Sequence, residues 1–253
     1  MRRLINGDPR AEQRRQERML AVLERRFARM FAAEIARATR EMMRQYSVTR
    51  SAPRLPDDHA ARIADIYQRL TLASVEEFGG LILDQGKRMG FVLERKDLRA
   101  VFVRFAAQYV GDEMIRRRIT NVAETTRAQI LAQIAVGERE GEGVAAIAKR
   151  ISGNVGMISR QRGALIGRTE THGAANYGAD AAARATGLTL QKQWLSAMDD
   201  RIRDAHKEVD GEVVAMDQAF YVGGEFLMFP GDPEGSAGNI INCRCTISHI
   251  VVE

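Results

Sequence analysis

Two cysteines stand two residues apart in Asn242-Cys243-Arg244-Cys245, and the chain has no others. In an extended strand, side chains at that spacing project from one face, so both thiols would point the same way. Two thiolates and two imidazoles make a tetrahedral zinc site. Of the four histidines, His206 and His172 are the natural partners for Cys243 and Cys245, with His249 in reserve. No cofactor is certain from the sequence, and His172, His206, Cys243 and Cys245 are thus the candidate ligands of a structural zinc. It would staple a small C-terminal end that lacks the core to be stable alone. The spacing is not that of a standard zinc finger, and two small thiols also pack well in a plain core, with His206 left to a surface hydrogen bond. A disulfide between the two cysteines would close a small, strained ring and would be opposed by a reducing cytosol.

A second constellation uses oxygen ligands. Glu170, Asp200, Asp204 and His206 could gather a divalent metal for phosphodiester cleavage, the chemistry of a metal-dependent nuclease or other hydrolase. Acidic side chains next to arginines, as in Asp199-Asp200-Arg201-Ile202-Arg203-Asp204, also form surface ion pairs of little energetic consequence. Familiar signatures are missing. There is no phosphate-cradling G-x-x-x-x-G-K-[ST] loop, no G-x-G-x-x-G, no H-E-x-x-H and no nucleophile elbow. The glycines from Gly137 to Gly143 alternate with glutamates that would repel a phosphate, so that stretch reads as an interhelical loop.

These residues need a scaffold, and the pattern along the chain predicts an α+β protein, predominantly helical. Long N-terminal helices precede a small α+β C-terminal domain. Residues 1–50 read as a basic amphipathic helix or arm, 57–155 as a helical domain and 156–253 as the α+β domain. In the first, Leu20, Leu23, Phe27, Met30, Phe31, Ile35, Ala38 and Met42 recur in steps of three and four on one face, with arginines and interleaved glutamates on the rest. Ser51-Ala52-Pro53-Arg54-Leu55-Pro56 breaks the helix, and a second helix runs to about Gln85. A third is expected from near Lys96 to Gly137. A short one follows over 144–151, closed by Gly153, and a further one over 157–185, stopped by Gly187. Strands are expected over 188–195 and 243–252, with Asp210-Gly211 as a hairpin-type turn.

The 253 residues carry a net charge of +5. That permits contact with DNA phosphates without demanding it. No apolar run approaches the roughly 20 residues that span a bilayer, and no apolar signal-peptide core follows the basic N-terminus. The expectation is a chain made in the cytoplasm, without a membrane partner.

Taken in order, several pieces resemble one family. They are Arg168-Thr169-Glu170 with His172, Asn176 and Gly178, then Trp194, Asp200-Arg201-Ile202-Arg203 with His206, Asp210-Gly211, Phe229-Pro230-Gly231 and finally Asn242-Cys243-Arg244-Cys245. Over roughly residues 122–250 the chain resembles the phage minor head (head morphogenesis) proteins of the Mu F type. The resemblance implies a structural component of a tailed-phage head, near the portal vertex, acting in head morphogenesis and in DNA packaging or ejection, and not an enzyme. The implied partners are the portal protein, with the major capsid protein and non-specific DNA as further contacts. Arg168, Glu170, Asp200 and Arg203 are carried over as motif positions without an assigned role. A bacterial helical interaction protein that borrowed the domain is the remaining reading.

Overall fold

The computed structural model describes residues 2–3, 9–88, 95–197 and 199–252. The elements follow the order β1 (Arg2–Arg3), α1 (Pro9–Thr49), α2 (His59–Arg88), α3 (Arg95–Gly111), α4 (Glu113–Arg139), α5 (Val144–Ala185), β2 (Leu190–Leu195), α6 (Asp204–Glu208), β3 (Val213–Ala215), β4 (Phe220–Val222), β5 (Glu225–Leu227), α7 (Ala237–Ile240) and β6 (Thr246–Val251). The class is α+β and mostly helical, as the pattern predicts. Two compact units are formed from non-contiguous stretches. The first takes described residues of 1–24, 68–112 and 168–253, the second those of 25–67 and 113–167.

The first unit holds all the strands. Its four-stranded antiparallel sheet has the order β1-β6-β2-β3, and β4 and β5 form a separate hairpin. β2 and β6 pair along their whole length, from Leu190 opposite Val251 to Leu195 opposite Thr246. Trp194 on β2 is fully buried and meets Phe220 of β4 edge-on at 5.4 Å. Around this pair lie Val75, Phe78 and Ile82 of α2, Phe102 and Phe105 of α3, and Ala175, Ala179, Ala182 and Ala183 of α5. Large side chains on the sheet thus meet small ones on α5, which lets the helix approach closely.

The second unit is helical. Met42, Met43 and Tyr46 of α1 pack with Ile130 and Ile134 of α4 and Ile147 and Ile151 of α5. The apolar stripe expected on α1 is buried here, with Phe27, Phe31, Ala38 and Met42 at 0 % exposure. Phe31 meets Tyr67 of α2 edge-on at 5.4 Å. His59, at the start of α2, sets Nδ1 2.7 Å from Glu34 on α1, and Glu34 also takes both ends of the Arg37 fork.

Four local expectations are corrected. The third helix divides into α3 and α4 at Gly111-Asp112, where a glycine weakens the helix and an aspartate suits a new N-terminus. The two helices expected around Gly153 are one helix, α5, because the packing of Ile147 and Ile151 outweighs one weak residue. Asp210-Gly211 links α6 to β3 instead of joining two strands, with Gly211 at φ +81°. The last strand begins at Thr246, so Cys243 and Cys245 lie in the segment that leads into it.

Within the second unit, α5 crosses α1 with backbone almost in contact. A Cβ on Gly163 would lie 2.8 Å from the Ala32 Cβ and closer still to the Ala28 carbonyl oxygen, whereas one on Gly153 meets nothing within 4 Å. Gly163→Ala should therefore cost about 1–3 kcal/mol through forced separation. Gly153→Ala should stabilise by about 0.5–1 kcal/mol through helix propensity alone. Urea denaturation of both variants checks this, and equal effects would reject the close-approach argument.

Candidate metal centre

Three loops and one short helix converge beside Trp194. α6 starts after Arg203, and the His206 and Lys207 amides donate back to the Arg203 carbonyl, both at 3.1 Å. The segment after β2 is fixed by Ser196. Its amide donates to Asp210 Oδ1 at 2.7 Å, its hydroxyl donates to the His206 carbonyl, and its own carbonyl accepts from Gln13 at 2.7 Å and Arg10 at 3.1 Å. The cysteine segment leaves α7 through Asn242, whose φ of +59° is one that asparagine tolerates. The Asn242 amide donates to Thr169 Oγ1 at 3.1 Å. Asn176 of α5 holds the junction between the cysteine segment and β6. Its Nδ2 donates to the Pro230 and Cys245 carbonyls at 2.8 and 3.0 Å, and its Oδ1 accepts from the Ile247 amide at 3.0 Å.

The outcome is a compact donor set. His206 Nδ1 lies 3.4 Å from Cys245 Sγ and 3.7 Å from Cys243 Sγ, and the three ligand atoms fall within 4.8 Å of one another. Tetrahedral zinc with ordinary Zn–S and Zn–N bonds would set sulfur and nitrogen about 3.5 Å apart. The His206, Cys243 and Cys245 side chains are all buried. The Cys243 thiol is pushed well above its usual range, first by its hydrogen bond to Cys245 and then by burial. That same bond holds Cys245 well below its range, where burial opposes and His206 reinforces it. The downward shift at Cys245 favours the thiolate, the form that binds metal. The set can coordinate a metal such as zinc.

His172 stands elsewhere. Its Nε2 lies 2.7 Å from Glu24 Oε1 on α1, and Arg168 Nε reaches the other oxygen of Glu24 at 3.2 Å. The set that gathers among the described residues is His206, Cys243 and Cys245. His249, the reserve, is buried on β6 opposite Lys192. Arg203 donates to the Ile241 carbonyl and so ties α6 to the end of α7. Glu170 is buried on α5, and Asp200 is exposed. Asp204 is exposed and pairs with Lys207 at 3.2 Å. The group of potential metal donors that gathers among the described residues contains no carboxylate, and Glu170 is buried while Asp200 and Asp204 are exposed.

The expectation that the chain carries nothing enzymatic is also corrected. It rested on the family resemblance, whereas folding joins donors 37 and 39 residues apart into a buried metal-binding triad. Three protein ligands leave a fourth position, which catalytic zinc keeps for water or substrate. Ala197 hydrogen-bonds Cys245 through its backbone and also lines a surface hollow of about 430 Å³ with Asp199, Asp200 and Lys207. The donor set is therefore compatible with catalysis.

Two partners escaped the sequence reading. Glu24 looks like one of many glutamates on a solvated helix face, and its partners lie 144 and 148 residues away. Asp199 takes Arg244 through both oxygens, one at 2.7 Å, and this fork holds the residue between the two cysteines. Only the alternation Cys-Arg-Cys hints that Arg244 points away from the thiols.

A family model described as "Phage Mu protein F like protein" matches residues 117–248, just over half of the chain. The chain is 30 % identical over 173 residues to "Minor head protein GP7" of Bacillus phage SPP1, covering 66 % of this chain and 53 % of that protein. It is 28 % identical over 145 residues to "NAD(+)--arginine ADP-ribosyltransferase EFV" of Enterococcus faecalis, covering 56 % of this chain and 29 % of that protein. This chain thus spans about half the length of the first relative and less than a third of the second. No solved structure matches it.

Metal analysis of protein purified without chelator should find about one zinc per chain. Cys243→Ser, Cys245→Ser or His206→Ala should abolish it, while His172→Ala should retain it. Zinc-free wild-type protein would remove the assignment. Glu24 gives an independent pH test. Burial works to raise its pKa, but His172 and Arg168 more than offset this, and the net shift is downward from the usual 4.5. A lowered carboxylate pKa contributes stability above the unfolded value and loses it as pH falls through the folded value. Glu24→Gln should therefore destabilise at pH 7, with a cost that shrinks steadily as pH falls below 4.5. A pH-independent cost, read from denaturation midpoints, would show that charge is not what Glu24 contributes.

Proposed function

This chain belongs to the phage Mu protein F-like family of minor head and head-morphogenesis proteins, and on that premise we propose that it works at the portal vertex of a tailed-phage head. There it would act in head morphogenesis and in the packaging or ejection of DNA. The observation that carries this reading is the likeness to the minor head protein of phage SPP1, which extends over 173 residues. The metal-binding triad fits the role as a staple. Zinc bound only by the folded state stabilises it by mass action, which suits a domain whose strands are mostly three to six residues long.

The proposed partners are the portal protein first, the major capsid protein second, and DNA as a non-specific contact. Phosphate contact is supported by a groove of about 640 Å³ in the second unit, with Arg37, Arg40, Arg44 and Arg54 on its wall. Arg37 and Arg44 are paired with Glu34 and Glu41, which keeps any such contact modest. No described helix is long and apolar enough to cross a membrane.

Co-expression with the portal protein of the same gene cluster, followed by affinity capture and mass measurement, tests the reading. A stable complex with the portal oligomer is the expected result. A chain that stays free while the portal assembles normally would overturn it.

A further inference from the structure

Arg162 is a charged side chain whose surroundings do not match it. It sits on α5, half-buried, within the second unit. Nη1 donates to Thr126 Oγ1 at 2.8 Å and Nη2 to the Val122 carbonyl at 3.2 Å, both on α4. Those acceptors are neutral. Burial lowers the pKa of this guanidinium, and no carboxylate opposes the effect. A guanidinium offers five N–H donors, and enclosing its charge without a counter-ion is unfavourable.

The neighbourhood is mixed, with aliphatic side chains beside the neutral polar groups of Thr39, Gln129, Gln133 and Gln161. A half-open groove of about 370 Å³ is lined by Ile35 of α1, Ile130 of α4, and Ile151, Val155, Ile158 and Arg162 of α5. Ile130 and Ile151 are members of the unit's core, so the groove is a place where that core reaches the surface. Along α5, Val155, Ile158, Arg162 and Leu165 are spaced by three and four and share a face. Leu165 is 38 % exposed, and Val155, Ile158 and Arg162 are half-buried. The face is thus an aliphatic stripe interrupted by one positive charge.

We propose that this groove is the docking site for an amphipathic helix of the portal protein, one that lays aliphatic side chains against Val155, Ile158 and Leu165 and brings an Asp or Glu to Arg162. The inference rests on the portal reading above and adds the surface and its chemistry. Helix-in-groove recognition uses anchors at this spacing. An incoming carboxylate would supply the missing counter-charge and engage donors that Thr126 and Val122 leave over. Nucleic acid fits less well, since Arg162 is the one cation among the residues that line the groove. The bond pattern also explains why arginine is used. Two donors fix the side chain on α4 while the rest of its fork remains for a partner.

The test is portal capture by the full chain carrying substitutions in the groove. Arg162→Gln keeps an amide able to bond Thr126 and Val122 but removes the charge. It should reduce capture at least tenfold, whereas Arg162→Lys should keep most of it. Ile158→Glu, at a half-buried position, places a carboxylate in the groove and should reduce capture to a similar degree. It serves as the second variant if Arg162→Gln does not fold. Melting temperature and zinc content report on the fold of each variant. Wild-type protein and both charge-altering variants binding the portal equally would overturn the groove and leave the portal reading standing. Failure of the wild type itself to bind an assembled portal would remove that reading and, with it, the partner assigned here.

Discussion

The buried amide of Asn176 is the constraint on which the C-terminal architecture turns. One side chain on α5 donates to the carbonyls of Pro230 and Cys245 and accepts from the amide of Ile247. Both of its donors and one of its lone pairs are used, at 4 % exposure. Removing it would strand three backbone groups in the interior, each costing about 1–3 kcal/mol. The bonds to Cys245 and Ile247 span the start of β6 and set that strand's entry. The same helix makes the approach possible, because Gly173 meets the Gly231 backbone so closely that a Cβ on either would lie 2.9 Å from the other. Gly231 has φ +82°, a conformation that favours glycine. The amide, the two glycines and the cysteine loop are one mechanical unit.

The metal-binding triad follows from that unit. Cys245 is located by Asn176, Arg244 by its fork on Asp199, and Asn242 by Thr169 and Arg168. His206 is delivered separately, by the turn that Ser196 and Asp210 close. None of these supports uses the thiols themselves, so the donors are brought together by ordinary hydrogen bonding and need a metal only to complete their valence. A site preorganised in this way binds more tightly than one that metal must assemble. Trp194 stands edge-on to His206 at 5.5 Å and packs against the imidazole.

Much of this could be read from the residues, and the parts that could not have a common cause. Periodicity located α1 because its stripe is regular and one-sided. It found the C-terminal half of α5 but broke the helix at Gly153, because a lone glycine reads as a stop while the packing of Ile147 and Ile151 that carries the helix through is tertiary. Cys243, Cys245 and His206 were legible because their types are rare and chemically distinctive. His172 was equally distinctive, yet its neighbour turned out to be a glutamate 148 positions away. Residue type restricts what a side chain can bind, while the choice among several compatible partners is made by tertiary packing. Spacing informs that choice only inside one element, and the misplaced ligand His172 is the case where the partner lies on another.

The same distinction governs the arginines, which a sequence reading can only treat as a class. Arg37, Arg184 and Arg244 each face a carboxylate of the chain's own, and their charge is consumed in holding elements together. Arg40 and Arg54 line an open basic wall, where water screens them and any phosphate contact is weak. Arg162 belongs to neither group. Half-buried and bonded to neutral acceptors on α4, it is less screened by water than an exposed arginine. Electrostatic specificity in a basic chain therefore need not come from the places where positive charge is densest. It can come from a charge that is partly screened from water and held by neutral acceptors, as Arg162 is on α5.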